Sequence, residues 1–93
     1  MPASIVAMLY VYHPDGMRDY VARVPESIAR AGGRIALRGH VTSILEGDIR
    51  PSRVAVIEFD TSEELHAWWN SAEAQELLQI RSVASTAWSV VVE

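Results

Sequence analysis

The chain has 93 residues, 49% of them apolar, with 8 basic and 12 acidic side chains for a formal charge of -4 at neutral pH. That length makes one domain, residues 1–93, burying roughly two-thirds of the surface its unfolded chain would expose. The acidic balance argues against a nucleic-acid phosphate surface or an anionic membrane as the main partner. Cysteine is absent and every basic residue is an arginine, which excludes disulfides, thiol nucleophiles, cysteine-held metal clusters and a Schiff-base lysine. The longest apolar run, Ile5 to Tyr12, is too short to span a bilayer and follows no basic residue, so a cytoplasmic location is expected.

Ile5 to Tyr12, IVAMLYVY, is β-branched and aromatic and carries no charge on either face. It reads as a strand covered on both sides and central in its sheet. Pro14, Asp15 and Gly16 break it, and the Asp15 carboxylate is placed to cap the next element. Met17, Tyr20, Val21, Val24 and Ile28 then recur at helical spacing as one apolar stripe. Asp19 with Arg23, and Glu26 with Arg30, form i,i+4 pairs on the wet face. Pro25 removes one backbone hydrogen bond and crowds the Val21 carbonyl, so a kink or the start of a second short helix is expected there. Gly32 and Gly33 close the helix.

The second strand is expected over Arg34 to Glu46. Its even positions, Arg34, Ala36, Arg38, His40 and Thr42, are mostly polar, while Ile35, Leu37, Val41 and Leu45 are aliphatic. Glu46 to Ser52 supplies the turn. Arg53 to Phe59 forms the third strand, with Ala55, Ile57 and Phe59 on one face and Val54, Val56 and Glu58 on the other. Thr61 and Glu64 make a T-x-x-E capping box ahead of a second helix bearing Leu65, Trp68 and Trp69. Asn70 and Ser71 interrupt that helix, and Ser71 caps a further turn or two through Leu77, Leu78 and Ile80. Thr86 to Val92 is the last strand.

The order βαββαβ defines an α+β, ferredoxin-like plan: a four-stranded antiparallel sheet with two helices on one face. The other face is too apolar to be left wet, since Ile5 to Tyr12 and Val90 to Val92 present apolar side chains on both faces. A second copy packed sheet to sheet would cover it, so a homodimer is predicted.

The central segment carries GGR, then R-G, then EGD, then P-x-R-x-x-V-I-E-F, followed by a W-aromatic-x-S helix. In this order and spacing, over nearly the whole chain, it resembles the bacterial family named domain of unknown function 1330. The resemblance implies a dimeric α/β barrel of two ferredoxin-like units, and no established activity. The wider superfamily holds cofactor-free monooxygenases, haem-degrading enzymes, lactone isomerases and members without known chemistry. The chain departs from the family pattern at His40, Ile49, Trp69, Ala72 and Ala74, so any pocket is expected to be shaped differently.

Arg38, His40 and Glu58 are the residues best suited to chemistry, because the polar face of the second strand can align with the face of the third that bears Glu58. Inside the dimer they would form an acid, a base and a fixed cation able to hold a carboxylate or enolate and pass a proton. The structural alternative is an Arg38–Glu58 ion pair, across the strands or across the dimer, that satisfies buried polarity and fixes register. Tyr10 and Trp69 complete the candidate ligand pocket. Trp68 and Trp69 point about 100° apart on a helix, so one packs on the sheet while the other lines a groove or covers the dimer edge. His13, His40 and His66 lack metal-ligand spacing, and no phosphate loop or G-x-S-x-G is present, so no metal or cofactor is expected.

The leading expectation is a small homodimer that binds a small organic molecule, anionic or aromatic, in or beside its barrel. Two alternatives remain: a cofactor-independent monooxygenase- or isomerase-like enzyme using Arg38, His40 and Glu58, and a purely structural or partner-interaction module.

Overall fold

A computed structural model describes residues 1–93. Its elements are β1 (Ala3–Val11), a 3-10 turn (Pro14–Met17), α1 (Arg18–Arg30), β2 (Arg34–His40), β3 (Arg53–Phe59), α2 (Ser62–Trp69), α3 (Ala72–Ser82) and β4 (Ser85–Val92). The strands form one antiparallel sheet in the order β2-β3-β1-β4, so β1 is central as its uncharged sequence requires. This is the ferredoxin-like arrangement, with the helices on one face.

Alternation along β1 assigns the faces. Ala3, Ile5, Ala7 and Leu9 are buried under the helices, and the register sets them beside Phe59, Ile57, Ala55 and Arg53 of β3. Ser4, Val6, Met8 and Tyr10 point to the opposite, open face. The main core joins Ile5, Ile57 and Phe59 to Val24 and Ile28 of α1, Leu65 and Trp68 of α2, and Ala74 and Leu77 of α3. A smaller cluster of Ala7, Leu9, Met17 and Ala84 fills the end where β1 leaves the sheet.

Local chemistry explains most element ends. Gly32 lies in the left-handed region at φ 89°, and the Gly33 and Gly32 amides donate to the Ile28 and Ala29 carbonyls, the double bond that closes many helices. Thr61 Oγ1 accepts from the Glu64 amide at 3.1 Å, and Ser71 Oγ accepts from the Ala74 amide at 3.1 Å. Thr61 starts α2 and Ser71 starts α3 at the expected interruption, and α3, at 11 residues, is longer than the expected turn or two. Trp68 is the tryptophan that packs inward. Its indole N–H donates to Ser27 Oγ at 3.0 Å, which satisfies the polar atom of each buried side chain. Arg23 and Arg30 pair with Asp19 and Glu26 on their own helix, and reach Glu76 and Glu73 on α3.

Three expectations need correction. Asp15 does not cap the element after it; its carboxylate accepts from Arg18 at 3.0 Å instead. Of the two outcomes expected at Pro25, a second short helix is excluded, since the residue lies inside a single α1. The second strand ends at His40, because β3 begins only at Arg53 and a last bond from the Val41 amide to the Ser52 carbonyl leaves the next residues unpaired. Ser52 ties the returning chain to β1, donating from its amide to the Leu9 carbonyl and accepting at Oγ from the Val11 amide.

Candidate functional site

A bulge in β2 decides which side chains share a face. Arg34 and Ile35 oppose Glu58 and Ile57, but Leu37 opposes Val56, so Ala36 is an extra residue in the ladder. After it, every side chain of β2 is turned to the other face. Arg38 now opposes Ala55, and His40 opposes Arg53, on the helix side of the sheet.

Glu58 therefore stands on the opposite face from Arg38 and His40. It takes its ion pair from Arg34, whose Nε donates at 3.1 Å, while a second Arg34 nitrogen reaches Asp60 at 3.4 Å. Within the protomer, neither the expected Arg38–His40–Glu58 group nor a cross-strand Arg38–Glu58 pair is formed. Glu58 pairs instead with Arg34, its direct cross-strand neighbour.

Arg38 and His40 line a cavity of about 350 Å³ between α1 and the β2–β3 pair, within one protomer. It exists because its floor is made of two neighbouring alanines, Ala7 and Ala55, where larger side chains would fill the space. Val24 and Ile28 of α1 and Ile35 and Ile57 of the sheet form its apolar part. At the other end, where β1 leaves the sheet, Tyr20, Arg53 and Arg81 join Arg38 and His40.

Arg81 is only 8% exposed. Its guanidinium sits 5.5 Å from the centre of the Tyr20 ring, and one of its nitrogens donates to the Tyr20 hydroxyl at 3.3 Å. No ion pair involves it. Carboxylates hold Arg18, Arg23, Arg30 and Arg34, whereas Arg38, Arg53 and Arg81 have none. The lining of the cavity contains no aspartate or glutamate. An apolar recess with fixed cations at one end suits a small organic anion.

The other candidates lie elsewhere. Tyr10 is on the open face, 47% exposed. Trp69, half-buried, lines a smaller cavity of about 210 Å³ between α2 and β4, together with His66 and Val91. Sequence reasoning missed Tyr20, Arg53 and Arg81 as groove residues. One signal for Arg81 was present: it falls four residues after Leu77 and seven after Ala74, so an arginine occupies a position in the buried stripe of α3.

The βαββαβ order, the antiparallel 2-3-1-4 sheet and the one-sided helices make this a ferredoxin-like α+β protein. Within that class the chain belongs to the family described as Domain of unknown function (DUF1330), whose model matches residues 2–93. Similar solved structures share the fold at low identity. A dimeric ferredoxin-like protein of unknown function from Jannaschia sp. CCS1 is 13% identical, with a TM-score of 0.80 over 100% of this chain and 99% of that one. A Rhodopseudomonas palustris protein of unknown function is 15% identical, with a TM-score of 0.78 over 98% and 80%. SnoaB from Streptomyces nogalater, a cofactor-independent oxygenase, is 15% identical, with a TM-score of 0.74 over 99% and 91%. No curated protein shows significant sequence similarity to the chain. No helix is long and apolar enough to cross a membrane.

Proposed function

We propose that the protein is a homodimer, joined through the open sheet face, that binds a small organic acid in the helix-side groove of each protomer. The observation that carries the binding reading is Arg81, buried beside an apolar cavity with no carboxylate to neutralise it. Burying a lone charge costs several kcal/mol unless it is paired. A bound carboxylate supplies the missing partner, and a guanidinium receives it through two parallel hydrogen bonds. Apolar atoms of the same ligand would cover Ala7, Ala55 and Val24.

Support for the dimer comes from the opposite face. Leu37, Trp88, Val90 and Val92 are exposed there, beside the half-buried Val6, Met8, Val54 and Val56. That continuous apolar surface is of the kind that a second copy covers, and similar solved structures include dimeric ferredoxin-like proteins. The groove lies on the other side of the sheet, so both protomers keep theirs open.

The test is a thermal-shift screen of the purified protein against organic acids, phenols, quinones, lactones and haem. A ligand at about 100 times its dissociation constant adds about 2.7 kcal/mol of stability by mass action. The expected result is a set of acids that raise the melting temperature in the parent and raise it less in Arg53→Gln, which keeps Arg38 and Arg81 in the groove. A flat screen would refute the reading and favour a structural or partner-binding role.

A second reading is supported by His40, which shares the groove with Arg38 and Arg53, and by the fold shared with the oxygenase SnoaB. In it the protein is a cofactor-independent oxygenase or isomerase: His40 takes a proton from an enolisable acid while the arginines stabilise the resulting anion. Glu58 has no part in that step from the far face of the sheet. This reading predicts that His40→Gln keeps ligand binding and loses turnover; turnover that survives the substitution refutes it.

A further inference from the structure

We propose that the groove selects a ligand with two negative charges at one end and an apolar body at the other, an alkyl- or aryl-substituted dicarboxylate of the succinate type. This rests on the organic-acid reading of the groove and specifies the class of acid.

The arginines divide sharply by partner. The chain carries 12 acidic and 8 basic residues, so carboxylates are in excess. Four arginines, Arg18, Arg23, Arg30 and Arg34, take carboxylate partners. Of the other four, Arg50 donates to the Gly47 carbonyl, and Arg38, Arg53 and Arg81 all line the same cavity. The groove thus holds three guanidinium cations and no carboxylate. One carboxylate leaves most of that charge unbalanced.

Position then sets the shape of the ligand. Arg53 stands opposite Leu9 on one side and His40 on the other, and Arg38 is two residues back along β2. Arg81 comes from the last turn of α3 and lies over Tyr20, near the start of α1. The cations thus approach from two directions, α3 and the β2–β3 pair, at the end of the sheet where β1 stops. The remainder of the cavity, with Val24, Ile28, Ile35 and Ile57, is apolar. Two carboxylates on adjacent carbons meet both sets of cations, and a single hydrocarbon tail runs over the alanine floor. His40 at the same end gives a further donor to the head group.

Titration calorimetry on the purified full chain at low ionic strength tests this with 2-phenylsuccinate, 3-phenylpropanoate, 3-phenylpropanamide and benzylphosphonate. A second carboxylate on a guanidinium is expected to tighten binding about tenfold or more. The predicted order is phenylsuccinate tightest, phenylpropanoate at least about tenfold weaker and the neutral amide weakest. In Arg53→Gln, a half-buried strand position whose folding is checked by its melting curve, the two acids should bind within about threefold of each other. Equal affinity of the mono- and diacid in the parent overturns the dicarboxylate assignment and leaves the organic-acid reading standing. Tighter binding of benzylphosphonate overturns it in favour of a compact dianionic head. Failure of every acid to bind overturns both readings.

Discussion

Replacing Ala55 by leucine should make the protein more stable and abolish ligand binding, the opposite of what enlarging a well-packed core residue does. Ala55 forms the floor of the groove beside Ala7, under a cavity of about 350 Å³. Leucine adds three carbon groups, each worth about 0.8 kcal/mol when fully buried, for an upper limit of about 2.4 kcal/mol. The groove is open along one side, so about half of that, roughly 1 kcal/mol, is the working figure. For a chain of this size that raises the melting temperature by about 4–8 °C. Parent and variant are compared by thermal unfolding at one protomer concentration, because the midpoint of a dimer would depend on concentration. The same samples are then titrated with 3-phenylpropanoate. A fall in stability of about 1–3 kcal/mol, the usual result of overpacking, would show that the space is not available. Unchanged ligand affinity in a stabilised variant would show that the ligand binds elsewhere.

Other parts of the fold give further checks. A Cβ at Gly33 would stand 2.6 Å from Phe59 Cε1 and 3.0 Å from the Glu58 carbonyl, and the Phe59 ring is fully buried. Gly33→Ala is therefore expected to cost about 1–3 kcal/mol, with partial rescue by Phe59→Leu; a denaturant midpoint equal to the parent's would refute the close packing. Val90→Glu puts a charge in the open sheet face, 57% exposed in the protomer, and should convert a dimer into a monomer in sedimentation at micromolar concentration. An unchanged mass would place the interface elsewhere. At the α1–α3 seam, the Ser27 hydroxyl, with the charges of Arg30 and Arg23 added, holds the Glu73 carboxyl below its usual value. Because its folded-state pKa lies under the unfolded one, this contribution is complete above about pH 4.3 and is lost as pH falls through the lower folded value. Glu73→Gln should flatten the fall in melting temperature on acidification below that pH; an unaltered acid limb would contradict the assignment.

What was legible in the sequence was local. The uncharged β1, the apolar stripe of α1, and the caps at Thr61 and Ser71 depend on neighbours within four residues, and each forms as its side chains dictate. The alternation of Arg34 to Leu45 was equally clear, but it does not say where the strand loses its partner or where the ladder slips by one residue. Both depend on pairing with β3, across the chain reversal. The slip at Ala36 involves no glycine or proline to announce it, yet it moves Arg38 and His40 from Glu58's face to the helix side. The groove itself came from residues far apart in the chain: Tyr20 at the start of α1, Arg53 opening β3 and Arg81 ending α3. Of these three, only Arg81, an arginine in the buried stripe of α3, left a mark in the sequence.

An organic acid held in the helix-side groove lies away from the open sheet face. Titrating isotopically labelled protein with 3-phenylpropanoate and following backbone amide resonances locates the ligand without assuming its site. Saturable shifts are expected at Tyr20, Val24, Arg38, Ala55 and Arg81, with Val6, Trp88 and Val90 unmoved. Shifts confined to Val6, Trp88 and Val90 would place the ligand on the opposite face and contradict binding in the groove.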